Sequence, residues 1–264
     1  MISGIRTAEE DLLHAIEHID YGEYEGALPI LSRVVAFAPS NALAYELWVV
    51  CHIRLARIDR ALELIDAGIV GGIAPVRLNI HKSAALRALG RLDEAAEAAR
   101  LALAAEPASS DGIRALAAVE FARGSGDAAI RIYQEALKRS PDDEDVHFAL
   151  ITLASELERS DLVISSARDF LRRFDRDPEV LSMLGQAYVA SSDLRRADRA
   201  FRDAAHLDPD DVGHHVNVLV VALLAGKEND FEAYLERLDA RDPDLAEAAA
   251  HQVQLLMSRA TEEE

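Results

Sequence analysis

Glu10, His14 and His18 are spaced four residues apart. On a helix that spacing places a carboxylate and two imidazoles on one face, an arrangement that can share a metal ion. Cys51 stands next to His52, but neighbours on a helix diverge by about 100°, so no direct thiolate–imidazole dyad can form between them. Asp208 and Asp210 have the alternation of a calcium loop, yet the terminal glutamate of such a loop is missing. His214 and His215 point in two directions. The chain has no glycine-rich phosphate loop followed by lysine, no Gly-x-Ser-x-Gly elbow and no His-Glu-x-x-His helix.

The elements that must position these residues are set by a period. Pro39, Pro107, Pro141, Pro209 and Pro243 lie at multiples of 34 residues from one another, and the two missing beats fall on Ile73 and Asp175, with Pro75 and Pro178 just behind. A fixed period of this size means stacked supersecondary units. In that phase the chain divides into blocks 8–41, 42–75, 76–109, 110–143, 144–177, 178–211 and 212–245, with a lead over 1–7. A small residue recurs as Ala27, Ala61, Ala95, Ala129 and Ala197, and a bulky one four positions later as Leu31, Ile65, Tyr133, Phe201 and Leu235. Small residues let antiparallel helices approach, and the bulky residue fills the space beside them. His14 and His18 occupy packing positions of this repeat, and His52 repeats His18 one period later. They are therefore read as packing residues, and no metal, no cofactor and no catalytic residue is expected.

Block 178–211 carries Leu184-Gly185, Tyr188, Ala197, Phe201, Ala204, Leu207 and Pro209. This resembles the tetratricopeptide repeat, and the resemblance runs over residues 8–245. It implies an all-α fold, a right-handed superhelical α-solenoid of helix–turn–helix repeats. Loops such as Ser140-Pro141-Asp142-Asp143-Glu144 and Asp208-Pro209-Asp210-Asp211 stop one helix and cap the next with carboxylates. Beyond the repeats, Leu245, Ala248, Ala249, Gln252, Leu255, Leu256 and Arg259 follow helical spacing, which predicts a capping helix over 246–260 ahead of an acidic, frayed tail at 261–264. No linker or composition shift interrupts the array, so one domain is expected. Four departures stand out. Val163 and Phe231 replace the small residue, Gly68 to Pro75 is a permissive stretch expected to shorten a helix, and Asn79 and Lys82 fall where apolar packing residues belong.

A formal net charge of −19 works against nucleic-acid backbones and anionic membrane surfaces. The longest apolar run, Val216 to Ala225, is broken by Asn217 and is far short of a span, so no membrane insertion is expected. The start lacks the apolar core of a signal peptide, and a single cysteine cannot form an internal disulfide; the expected compartment is the cytoplasm.

The resemblance implies that the first helix of each repeat lines a concave face. Its inner positions carry Ile53, Arg54, Arg77, Ile80, Arg87, Arg114, Phe121 and Phe148, an apolar groove centred on arginine. The Lys and Asn set that clamps chaperone C-terminal carboxylates in relatives has no match, because Leu12, Ile16, Glu46 and Val50 stand there. The expected function is a noncatalytic interaction scaffold or adaptor that holds a protein or peptide partner with an acidic segment. Two alternatives stand beside it. One is a self-assembling structural repeat protein, hence a homo-oligomer; the other is an accessory subunit of an enzyme carried on another chain. The arginines have a second reading too, as neutralising partners of Glu46, Asp111 and Glu120.

Overall fold

The computed structural model describes residues 7–262, with side chains through Ser258. Most of the lead and the last two tail residues therefore lie outside the described residues, as does the side chain of Arg259. The fold is an all-α helical-repeat solenoid with no strand among the described residues. It divides into two compact units, Met1–Pro141 and Asp142–Glu264. One domain was expected; the 34-residue period runs through the boundary unchanged, because it reports the geometry of each helix pair and nothing longer in range.

The first unit holds α1 Ala8–Asp20, α2 Tyr24–Phe37, α3 Ala42–Arg54, α4 Ile58–Val70, α5 Pro75–Ala88, α6 Leu92–Ala105, α7 Ser110–Ala122 and α8 Gly126–Arg139. The second holds α9 Glu144–Glu156, α10 Ser160–Arg173, α11 Pro178–Ala190, α12 Leu194–Leu207, α13 Val212–Leu224, α14 Glu228–Arg241 and α15 Pro243–Glu262. Within each unit consecutive helices pack together, and odd-numbered helices also touch across repeats: α3 with α5, α5 with α7, α9 with α11 and α11 with α13. Even-numbered helices make no comparable contact with one another. The odd helices thus form the closer, inner layer.

Local chemistry explains the boundaries. Odd helices other than α5 begin on side-chain caps, in which Thr7, Asn41, Ser109, Asp143, Asp177 and Asp211 each accept a backbone N–H from the first turn, whereas α5 follows Ala74 and has no such cap. At α1, Thr7 and Glu10 complete a capping box. The even helices α2, α6, α8 and α12 end two residues before Pro39, Pro107, Pro141 and Pro209, and the intervening residues Ala38, Glu106, Ser140 and Asp208 share nearly one conformation, φ between −125° and −130° with ψ of 76–86°. Where the proline beat is missing, the ending changes. Phe174 closes α10 in an extended conformation, and α4 has 13 residues where the other even helices have 14. Pro75 and Pro178 stop nothing; each is the first residue of the next helix, where its missing N–H costs no bond.

The turn inside each repeat is periodic in conformation. Residues 22, 56, 90, 124, 158, 192 and 226 all have positive φ. Four are glycine, but Ala56, Glu158 and Ser192 hold the same left-handed geometry, at φ 57°, 55° and 60°. Each sits in a turn that returns a backbone N–H to the helix just ended, as in Arg57 N–H to His52 O at 2.9 Å and Arg159 N–H to Ala154 O at 2.9 Å.

Packing follows the small-and-bulky pattern. Ala27, Ala61, Ala95, Ala129 and Ala197 are fully enclosed, and Val163 is enclosed in their place in α10. Volume is exchanged between two further positions. Gly185 faces Phe201, Ala117 stands in the place equivalent to Gly185 where Tyr133 is bulky, and Ile151 fills that place where Ala167 is small. In α14, where Phe231 stands at the small position, Leu238 is the one buried residue. Asn79 is buried but donates to Pro75 O at 2.8 Å, and Lys82 reaches Asp66 at 2.6 Å, so both departures are satisfied locally. The last helix, α15, is longer at both ends than the 246–260 predicted, because Asp242 caps it through Leu245 N–H at 3.1 Å and Pro243 begins it.

Candidate functional site

The inner layer of the first unit carries seven of the eight groove residues. Ile53, Arg87 and Phe121 are 34 residues apart and so hold equivalent places on α3, α5 and α7; Glu46, Ile80 and Arg114 form a second such row. The charged members of the second row are both paired. Arg77 Nε donates to Glu46 Oε2 at 2.6 Å, and Glu46 is only 6% exposed. The bond raises the arginine above its ordinary range, and the carboxylate's own charge adds to that. Arg114 pairs with Asp111 on its own helix. Two of the four arginines are therefore matched by the acids anticipated for them. Glu120 instead accepts from Arg123 at 2.6 Å.

Arg54 and Arg87 differ: both are exposed and neither makes an ion pair among the described residues. Ile53 and Ile80 are half-buried, and Phe121 remains 41% exposed beside them. Phe148 lies on α9 in the second unit, where it packs against that unit's core of Ile151, Phe170 and Leu184.

Sequence reasoning passed over His81. It sits on α5 near Glu46, Arg77 and Asp111, and burial lowers its pKa; the two carboxylates oppose that shift and Arg77 adds to it. His52 is also lowered, first by burial and then by Arg57 and Arg60, against Glu25. Its Nδ1 is buried without a hydrogen-bond partner. A histidine held below its unfolded value destabilises the fold once the unfolded chain begins to take up protons that the folded chain refuses. Stability should therefore be flat above pH 7 and fall as pH drops below about 6.5, the ordinary histidine value. Denaturant titrations at pH 7.5 and 5.5 check this: the double variant His52→Gln/His81→Gln should lose less stability between the two than the wild type. An equal loss would place the titrating groups elsewhere.

The remaining candidates have structural work. Glu10 accepts from Thr7 N–H at 2.8 Å, His14 and His18 stack edge to face with centroids 4.7 Å apart, and His18 Nδ1 lies 2.6 Å from Glu23. No group of three or more His, Cys, Asp or Glu side chains among the described residues could hold a metal ion. Cys51 is fully enclosed and burial pushes its thiol up to about 11, so it stays protonated at neutral pH. His214 meets Ser182 on α11, while His215 meets Tyr234 on α14. No described helix is long and apolar enough to cross a membrane.

Fold and inner layer together define a helical-repeat scaffold. Tetratricopeptide repeat models match residues 110–153 and 182–246. Among solved structures, the chain is similar to a tetratricopeptide repeat protein from Parabacteroides merdae, with 13% identity over 92% of this chain and 98% of that one and a TM-score of 0.54. It is also similar to PilF of Pseudomonas aeruginosa, with 15% identity over 78% and 94% of the two chains and a TM-score of 0.55. MamA from Desulfovibrio magneticus aligns at 16% identity over 64% and 97%, with a TM-score of 0.51. No curated protein matches the sequence. Residues 110–153 and 182–246 thus match the tetratricopeptide repeat, and the chain shares its fold with solved tetratricopeptide repeat structures. Such repeats are in general protein-interaction scaffolds, and they are typically noncatalytic.

Proposed function

We propose that this protein is a noncatalytic adaptor whose first unit holds an extended segment of a partner polypeptide on its inner layer. The segment would combine an acidic residue with apolar side chains. One observation carries the reading: Arg54 and Arg87, on the neighbouring helices α3 and α5, are exposed and without an ion-pair partner among the described residues, while Phe121 and the half-buried Ile53 and Ile80 supply apolar surface on the same layer. An arginine not already paired keeps its planar fork for a carboxylate from outside, and the bond strengthens where apolar neighbours exclude water. Arg77 and Arg114 play a different part in this reading. Tied to Glu46 and Asp111, they keep the centre of the layer neutral and in register.

The experiment is a peptide array that mixes acidic and apolar residues, probed with the full chain and with Arg54→Glu/Arg87→Glu. Both positions are on the surface, so the variant should keep its helical circular dichroism. Loss of two charge-assisted contacts should weaken retained peptides by about tenfold or more. Unchanged retention by a folded variant would remove the site from this layer.

A further inference from the structure

The second unit carries a cleft of about 290 Å³ formed by α12, α13 and α14. Its lining is Arg202, Ala205, His206, His215, Tyr234, Arg237, Leu238 and Arg241, with no aspartate or glutamate among them. In a chain of formal charge −19 that is an inversion of sign. The three guanidinium groups converge around one ring: Arg202 and Arg237 place Cζ at 5.1 and 5.9 Å from the centroid of Tyr234, and Arg241 lies close enough to act on its hydroxyl electrostatically.

Tyr234 is itself fixed. Pro209 O can only accept, so His215 Nε2 carries the proton that bonds it at 2.9 Å, and Nδ1 accepts from the Tyr234 hydroxyl at 2.7 Å. Arg241 donates to the same Pro209 carbonyl. Arg237 Nε donates to Ala233 O at 3.0 Å, and Arg202 Nε to Asp198 Oδ1 at 2.8 Å. Every arginine is thus oriented by one bond while most of its five N–H donors are left over. Among the described residues Asp198 is the sole carboxylate bonded to any of the three, so these four groups together carry a charge of about +2.

We infer that this cleft binds a phosphate dianion, as a monoester or as the free ion, with Arg202, Arg237 and Arg241 as its ligands. The charge of such a group, −1.5 to −2 at neutral pH, matches the cluster, and its three acceptor oxygens suit several guanidinium forks at once. A carboxylate offers half the charge and two oxygens. The site lies in the second unit, with its three arginines on the even helices α12 and α14.

The test is calorimetric titration of the full chain with O-phosphoserine, with inorganic phosphate, with a phosphoserine-containing peptide and with glutarate, all at matched ionic strength. Saturable binding of the phosphorylated ligands should be at least about tenfold tighter than that of glutarate. Arg237→Gln and Arg202→Gln should each weaken it by about tenfold, whereas Arg131→Gln, in the first unit, should change nothing. Arg237 is exposed, so its variant keeps the fold and separates lost binding from lost structure. Tighter binding of the phosphopeptide than of inorganic phosphate identifies a modified partner as the source; equal binding identifies the free ion, and both support the site. Glutarate binding as well as the phosphorylated ligands, no saturation, or insensitivity to Arg237→Gln overturns it.

Discussion

Gly185→Leu should destabilise the second unit severely. A β-carbon built on Gly185 would meet Phe201 Cε1 at 2.4 Å, Cδ1 at 2.6 Å and Cζ at 2.8 Å. Real β-carbons do not approach so closely, and Phe201 cannot swing away: it is 3% exposed and enclosed by the cluster of Val180, Leu184, Ala197 and Val218. Overpacking of this kind costs about 1–3 kcal/mol for a methylene or two, and a leucine adds four carbons with no space. Separation of α11 from α12 is the expected consequence. Phe201→Ala approaches the same contact from the other side, leaving a cavity worth about 3–5 kcal/mol. Combining Gly185→Leu with Phe201→Ala should recover part of the loss, because the two side chains compete for one volume. Urea titrations of the two single variants and the double variant decide it. Strictly additive losses would mean that the residues do not share the space assigned to them.

Removing residues 243–264 should be comparably damaging. The helix α15 packs on α13 and α14 and buries Leu245, Ala246, Ala249 and Val253 against Val216, Leu219 and Leu238. Leu245 and Val253, burying at roughly 1.5–3 kcal/mol each, account for about 3–6 kcal/mol of lost apolar contact. The deletion also bares Val216, Leu219 and Leu238 to water, and exposed apolar ends are what terminal repeats exist to cover. The truncated chain should unfold at lower denaturant and aggregate at concentrations where the full chain does not. Light scattering and denaturant midpoints equal to those of the full chain would refute the capping role we propose for α15.

Most of this architecture is readable from residue spacing. A helix pair needs a stop, a cap and a small residue where two backbones approach, and each is a local property of a few residues. Pro39, Pro107, Pro141 and Pro209, the caps at Asp143 and Asp211, and the enclosed Ala27, Ala61, Ala95, Ala129 and Ala197 therefore announce themselves. The periodic turn was less legible, since Ala56, Glu158 and Ser192 adopt the geometry that glycine would advertise. Gly68 misleads in the opposite direction. In sequence it belongs to a flexible stretch, yet it is buried, and a β-carbon there would meet Leu78 Cδ1 and Tyr45 Cε1, both at 2.6 Å.

By itself the sequence determined the pairing of helices and which arginines and aromatics hold equivalent places on them, because a period of 34 residues fixes which positions are equivalent. Which of those arginines are already engaged was decided only by tertiary structure. Glu46 and Arg77 are 31 residues apart and Arg202 and Tyr234 are 32 apart, on helices whose side chains meet through packing of whole repeats. Charge neutralisation acts through space over a few ångströms, and linear spacing holds no record of such an approach until the helices are stacked.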